Sequence, residues 1–355
     1  MKILQLIPRV HVPPDDGGRI SMWNVTKHLL RRGASVTVVS LDDRDADSIE
    51  NFEGCTFRHV RFAHETKNSL SAIIRSVFSS TPLYVHKHIS RDIIEKAVRL
   101  CNAEAFDVIH ADHTAMAPLA LELKRRFAIP VGLRLHNVEW MIWKRYADNL
   151  RKVDPRHWYV ASQANKLRRA EAACIAAADV SWTMSGVDEL RARSLAPHAT
   201  IITAPAGVNT AEWKPVEGVR RIEHQCVLAA AWTWRHNVEG LRWFVREVFP
   251  RVRQTVSDAT LLLPGKNLPE EFLHREREGI VASGYVPTMQ ASYQSSALFV
   301  CPLFVGSGVR IKIMEAMASG LPVVATHIGA EGVEATREEG LIVEDDPQRQ
   351  ADEII

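Results

Sequence analysis

Two glycines, two bases and one acid fall within ten residues of each other in Gly306-Ser307-Gly308-Val309-Arg310-Ile311-Lys312-Ile313-Met314-Glu315. An apolar run precedes them and a helical pattern follows, so the segment through Val324 predicts strand, glycine loop, helix, turn and strand. Gly306 and Gly308 allow the backbone to approach a ligand closely, and the start of the helix offers N–H groups with no partner inside it. Basic residues in a first turn oppose the helix dipole, so Arg310 and Lys312 predict a bound anion, such as a phosphate, that compensates them. Glu315 follows Lys312 by three residues and shares its part of the helix surface, where its carboxylate can accept two ribose hydroxyls. The bland alternative is a tight turn with a Lys312–Glu315 pair, and the spacing is not that of a Walker loop.

Other candidates lie in the first half of the chain. His136, in Arg134-Leu135-His136-Asn137-Val138-Glu139, follows an apolar strand pattern. An imidazole at a strand's carboxyl end can hydrogen-bond a sugar hydroxyl or assist a reacting centre, or merely satisfy its neighbours. Glu139 reads as a first-turn helix acid. His110, Asp112 and His113 cluster, but without a further ligand pattern they read as a loop or site wall rather than a metal centre. Asp15 and Asp16, before Gly17-Gly18, read as turn and N-cap residues, with an acceptor contact as the alternative.

The elements that must position these residues alternate. Strands are expected at 2–7, 36–40, 108–110, 131–135 and 180–183, with a glycine-containing loop through Gly18 followed by a helix that Gly33 stops. The small residues and breakers at 204–209 predict a hinge between domains. A second series has strands at 226–231, 260–263, 280–282, 298–301, 323–326 and 341–343, with a helix at 238–252 whose Leu241, Phe244, Val245, Val248 and Phe249 form one apolar face. This is α/β repetition with parallel sheets in two domains, as 355 residues favour. The last residues, 351–355, read as the start of an amphipathic helix without cap or continuation, which predicts a longer C-terminus.

Composition narrows the class. Forty-four basic against forty-two acidic residues give a net charge of +2, which speaks against a partner recognised by a global positive field such as duplex nucleic acid. The five cysteines are scattered with no C-x-x-C pair, so neither a disulfide framework nor a zinc site is expected, and a reducing cytoplasm fits. The apolar run at 3–7 is too short for a signal peptide, and the one at 297–305 is broken by Pro302 and is too short to span a bilayer. The segment 144–169 sets eight basic residues among Trp143, Tyr146, Trp158 and Tyr159. It reads as a solvated helix surface or as a contact with anionic lipid at the inner face of a membrane.

Gly306-Ser307-Gly308, Lys312, Glu315-Ala316-Met317-Ala318, Gly320-Leu321-Pro322-Val323-Val324 and Gly329-Ala330-Glu331-Gly332 resemble the donor-site signature of retaining glycosyltransferase family four. Gly17-Gly18 resembles that family's glycine pair, His136 its cleft histidine, and Asn237 in Trp234-Arg235-His236-Asn237 the turn after the second domain's first strand. The resemblance implies the B-type fold, two Rossmann-like domains facing a central cleft, with residues 1–206 on the acceptor side and 207–355 binding a nucleotide sugar. It implies transfer to a glycan, lipid-linked or small-molecule acceptor with retention of anomeric configuration, and no cofactor or protein-bound metal. By the same carry-over, Glu315 binds the ribose, Lys312 and Arg310 the diphosphate, Gly18 approaches the phosphate or sugar, and Arg235 and Asn237 border the donor. Two departures stand out: Ser307 occupies the position of the first of two glutamates in many members, and only Arg235 stands where an arginine and lysine are usual. A noncatalytic nucleotide-sugar or glycan-binding protein and an epimerase on the same scaffold are the alternatives.

Overall fold

The computed structural model describes residues 1–14, 16–286 and 288–355. Asp15, expected in a turn, lies outside them. The chain divides into two compact units, Met1–Pro205 and Ala206–Ile355.

The first unit is built on an eight-stranded sheet. Its strands are β1 (Lys2–Ile7), β2 (Ser35–Asp42), β3 (Ala46–Phe52), β4 (Cys55–Ala63), β5 (Val108–Ala111), β6 (Val131–Leu135), β7 (Val180–Thr183) and β8 (Ile201–Thr203). The order is β3-β4-β2-β1-β5-β6-β7-β8, and every pairing is parallel except β3 with β4. Period-two alternation buries both faces: Leu4 and Leu6 join one core while Ile3 and Ile7 join the other. β3 and β4 form a hairpin that the hydrophobic pattern conceals, because β3 is an edge strand whose Ile49 is exposed. The signal for it was the turn, since Glu53 and Gly54 both take positive φ between the paired Phe52 and Cys55.

The second unit holds a six-stranded parallel sheet: β9 (Gln225–Val227), β10 (Thr260–Pro264), β11 (Ile280–Gly284), β12 (Leu298–Cys301), β13 (Val323–Ala325) and β14 (Leu341–Val343), in the order β11-β10-β9-β12-β13-β14. Two strands end earlier than expected, and each for a local reason. Past β9 the carbonyl of Ala229 accepts from Lys312 Nζ at 3.3 Å and that of Ala231 from Asn237 Nδ2 at 2.9 Å, so the backbone leaves the ladder. Past β13 the Thr326 hydroxyl donates to the Leu303 carbonyl and accepts from the Gly329 N–H, capping the short helix His327–Ala330.

The expected helix at 238–252 extends from Arg235 to Thr255 with a π-turn at Phe244–Val248. Pro250 follows this turn, and a proline lacks the N–H that regular helix pairing requires. Leu241, Phe244, Val248, Phe249 and Val252 are fully buried, each worth roughly 1.5–3 kcal/mol in apolar burial. Val245 packs partly buried at the edge of the same core.

Candidate functional sites

In each sheet the strand order reverses once, between β1 and β5 in the first unit and between β9 and β12 in the second, and ligands in such folds bind beyond the carboxyl ends of the strands there. The predicted residues fall at these two places.

In the second unit the loop after β12 carries the glycines. Gly306 has φ +144° and Gly308 φ +81°, conformations that L side chains avoid, and a Cβ on Gly306 would collide with the Arg310 guanidinium. That guanidinium folds back so that Nη1 donates to the carbonyls of Ser307 at 2.6 Å and Gly308 at 2.8 Å. Arg310 thus braces the loop from within as well as adding charge to it. The helix Ile311–Ala318 follows without a side-chain cap at its N-terminus. Burial, together with Arg310, lowers the Lys312 pKa from its ordinary value.

Glu315 is only 8% exposed, and its carboxylate makes no hydrogen bond to any described residue. Burial pushes it up to about 7, against the pull of Lys312. The Lys312–Glu315 pair expected from a purely structural role does not form an ion pair. The Ser307 hydroxyl is likewise buried without a partner. A hydroxyl buried with nothing to bind is costly in an isolated chain, and a ligand that brings hydroxyl donors and acceptors can satisfy both it and the carboxylate that no protein donor reaches.

Asn237 is buried and holds the turn after β9 through Ala231, a bracing position, while Arg235 is largely exposed and pairs with Glu239 at 2.6 Å. Sequence reasoning passed over His236 between them. Its ring is half-buried, and burial with the charges of Arg310 and Lys312 lowers it to about 4, so it faces the same basic loop as a neutral imidazole. Its place in the Trp234–Asn237 turn was the available signal.

In the first unit the central group is Asp112, at the end of β5 and fully buried. It accepts from Gln5 Nε2 at 2.9 Å, Arg134 Nη1 at 3.0 Å and His136 Nε2 at 2.8 Å, with His110 Nε2 at 3.4 Å. Burial alone would raise its pKa, but Arg134, His110 and His136 outweigh it and hold the carboxyl well below the ordinary range. Arg134 also bonds Ser21 Oγ at 2.6 Å, tying the helix Gly17–Arg31 to the sheet.

His136 gains its orientation from this network. Its Nε2–H points at Asp112, which leaves Nδ1 with no partner among the described residues and a lone pair able to accept a hydroxyl proton. Burial, then Arg134, lowers its pKa, so the ring is neutral near pH 7. His113, with its ring centroid 5.1 Å away, accepts at Nδ1 from the Ala115 N–H at 3.2 Å and lies 3.0 Å from the Tyr84 hydroxyl. Glu139 is the first-turn acid of the helix Glu139–Asp148, as expected, but its side chain is buried: burial raises it to about 7, and the helix N–H groups of Glu139 and Trp140 are taken by Glu171 at 2.9 and 2.8 Å.

Gly17 and Gly18 open the helix Gly17–Arg31 rather than ending a loop, with Asp16 as N-cap accepting from the Arg19 N–H at 3.0 Å. A Cβ on Gly18 would come within 3.0 Å of Arg9, whose guanidinium pairs with Asp16 at 2.7 Å. Arg9 is a second basic group at this helix start that sequence spacing did not single out. Among the described residues no group of three or more histidines, cysteines or acids is placed to hold a metal ion; Asp112 is taken by Gln5, Arg134 and His136, and His113 lies against Tyr84.

Residues 16–212 match the family described as Glycosyltransferase Family 4, and residues 224–355 match one described as Glycosyl transferases group 1. Over 129 residues the chain is 30% identical to an uncharacterized 44.6 kDa protein in the cps region of Klebsiella pneumoniae, a match that spans 34% of this chain and 33% of that relative's length. Sucrose-phosphate synthase from Thermosynechococcus elongatus has the same fold, with a TM-score of 0.74 at 17% identity over 100% of this chain and 88% of the other. The Anabaena protein HepE in complex with UDP superposes with a TM-score of 0.65 at 13% identity, covering 100% and 89%. A UDP-forming α,α-trehalose-phosphate synthase from Burkholderia vietnamiensis gives 0.62 at 14% identity, covering 99% and 89%. The architecture is therefore the B-type glycosyltransferase fold.

Proposed function

Because the chain belongs to Glycosyltransferase Family 4, we propose that it moves a sugar from a nucleoside diphosphate donor to a hydroxyl of a glycan, lipid-linked or small-molecule acceptor, with retention of anomeric configuration. The observation that carries this reading is the buried, unpartnered Glu315 carboxylate beside a glycine loop with Arg310 and Lys312. In it, Glu315 accepts the two ribose hydroxyls, while Lys312 and the N–H groups of the first helical turn hold the diphosphate. Solved structures of the same fold were obtained with UDP and with UDP-glucose, which favours a uridine donor.

In the reaction the bond from the anomeric carbon to the diphosphate oxygen breaks and its electron pair leaves with the diphosphate. The acceptor oxygen forms the new bond on the same sugar face, and its proton passes to the leaving diphosphate. Positive charge builds on the sugar and negative charge on the leaving group, so Lys312 and the Arg310-braced loop stabilise the departing anion more than the bound donor. The residues 1–206 take the acceptor, with His136 Nδ1 accepting from a substrate hydroxyl. No metal or cofactor enters this scheme. Polysaccharide biosynthesis in the cytoplasm, with peripheral contact at a membrane's inner face, is the setting that suits such an enzyme. Among the described residues no helix is long and apolar enough to cross a membrane.

The test is turnover with a panel of nucleotide sugars and acceptors, following released nucleotide and glycosylated product together. Matched release and product, with the anomeric configuration kept, is the expected result, and His136→Ala should slow it by about a hundredfold or more. Tight donor binding without product across the panel would instead mark a binding protein, and an altered sugar without an acceptor an epimerase.

A further inference from the structure

The helix Leu70–Phe78 is turned inside out. At 100° per residue, Leu70, Ile74, Val77 and Phe78 form one apolar stripe, which in an ordinary surface helix would face the core. Here that stripe faces solvent, with Leu70 73% and Phe78 86% exposed, while the polar Ser76 is buried. The inward face is fixed by polar contacts to the long helix Pro155–Ala177: Ser76 Oγ lies 2.9 Å from the Tyr159 hydroxyl, and the Ser76 carbonyl accepts from Gln163 at 3.1 Å and Lys166 at 2.7 Å. The helix is therefore anchored in this orientation, and its apolar stripe is outward by construction.

Trp158, next to Tyr159 and 66% exposed, extends the apolar surface, and its Nε1 donates to the Lys152 carbonyl, which brings the turn with exposed Val153 alongside. The charge of this region is one-sided. Residues 65–78 and 144–158 carry seven basic and three acidic side chains in a protein whose whole balance is +2. The acids are met by Lys67, Lys144 and Arg156 and Arg145 has an interaction of its own, which leaves Arg75, Arg151 and Lys152 in excess.

We propose that this surface docks on an anionic bilayer, the helix Leu70–Phe78 lying in the headgroup plane with Leu70, Ile74, Val77 and Phe78 inserted and Arg75, Arg151 and Lys152 on the lipid phosphates. An apolar stripe rimmed by bases, with a tryptophan at its border, suits an interface that is apolar below and negative above. A protein partner or a second copy would cover the stripe equally well, but neither accounts for the excess of positive charge. The inference rests on the peripheral membrane setting proposed above and gives it a surface; that surface lies wholly in the first unit and does not use the donor loop, so its failure is distinguishable from failure of the nucleotide-sugar reading.

The test is flotation of the full chain with vesicles of phosphatidylcholine alone and of phosphatidylcholine mixed with phosphatidylglycerol. Binding to the mixed vesicles at low salt, weakening as salt is raised, is expected. Ile74→Glu with Phe78→Glu should lower that binding by at least about tenfold, since two inserted side chains are lost. Arg151→Glu with Lys152→Glu should lower it by roughly tenfold or more. Both pairs sit on the surface, so UDP affinity and the thermal midpoint should not move. No binding to the mixed vesicles at low salt, or binding indifferent to the Ile74 and Phe78 changes, overturns the proposal. So does a wild-type dimer in light scattering that Phe78→Glu dissociates while vesicles are left unbound.

Discussion

At the end of β5 a buried carboxylate, Asp112, has three hydrogen-bond donors and a further histidine around it; at the second turn of the helix after β12 a buried carboxylate, Glu315, has none. The two groups lie beside the reversal points of their sheets, and their pKa values move in opposite directions for that reason. Asp112 is held low by the cations and donors packed on it, whereas Glu315 is raised to about 7 by burial with nothing but Lys312 opposing. The contrast separates a scaffold from a receptor. A fully satisfied buried ion orders its neighbours, here Arg134 and His136. An unsatisfied one is where the proposed nucleotide ribose binds.

The sharpest way to break the comparison is Asp112→Ala. It strands the buried Arg134 and should cost about 3–5 kcal/mol, read as a fall in the unfolding midpoint of the first unit by calorimetry. Glu315→Ala should show no such fall. If the two substitutions cost the same, Glu315 is a structural ion after all.

The pH dependence sharpens the contrast. A carboxyl raised from 4.5 to about 7 in the folded protein contributes most below pH 4.5, and that contribution is lost as pH rises to 7 and beyond. Glu139 and Glu171, raised to about 7 and about 8, act in the same sense in the first unit. The Glu315 share is therefore taken as the difference between wild type and Glu315→Gln, which should grow between pH 5 and 8 by up to about 3 kcal/mol. A flat difference curve would contradict the raised value. The smallest expected effect is Gly306→Ala. The φ of +144° and the displaced Arg310 should weaken nucleotide binding by about tenfold and cost roughly 1–3 kcal/mol of stability.

The pattern of strands was legible because both sheets, apart from the β3 edge, are parallel and buried on both faces, so apolar runs such as Val131–Leu135 stand out. The β3–β4 hairpin was not, since an exposed edge strand carries no apolar signature and only Glu53-Gly54 marked it. In the candidate sites, Glu315, Lys312, Ser307 and His136 were legible from spacing and resemblance. The partners of His136 were not. Asp112 and Ser21 reach it or Arg134 from positions 22 to 113 residues away in the chain, Gln5 holds Asp112 from 107 residues away, and only the fold brings them together. The self-bracing of Arg310 and the burial of His236 were hidden for a related reason, as both depend on how a loop closes rather than on what it contains.

The most direct test is calorimetric titration of UDP, GDP and ADP into the wild type and Glu315→Ala. The account predicts binding selective for one base, UDP by preference, that falls by tenfold to about a hundredfold in the variant, the loss of charge-assisted hydrogen bonds to the ribose. Equal affinity in the two proteins, or no nucleotide bound by the wild type, would contradict it.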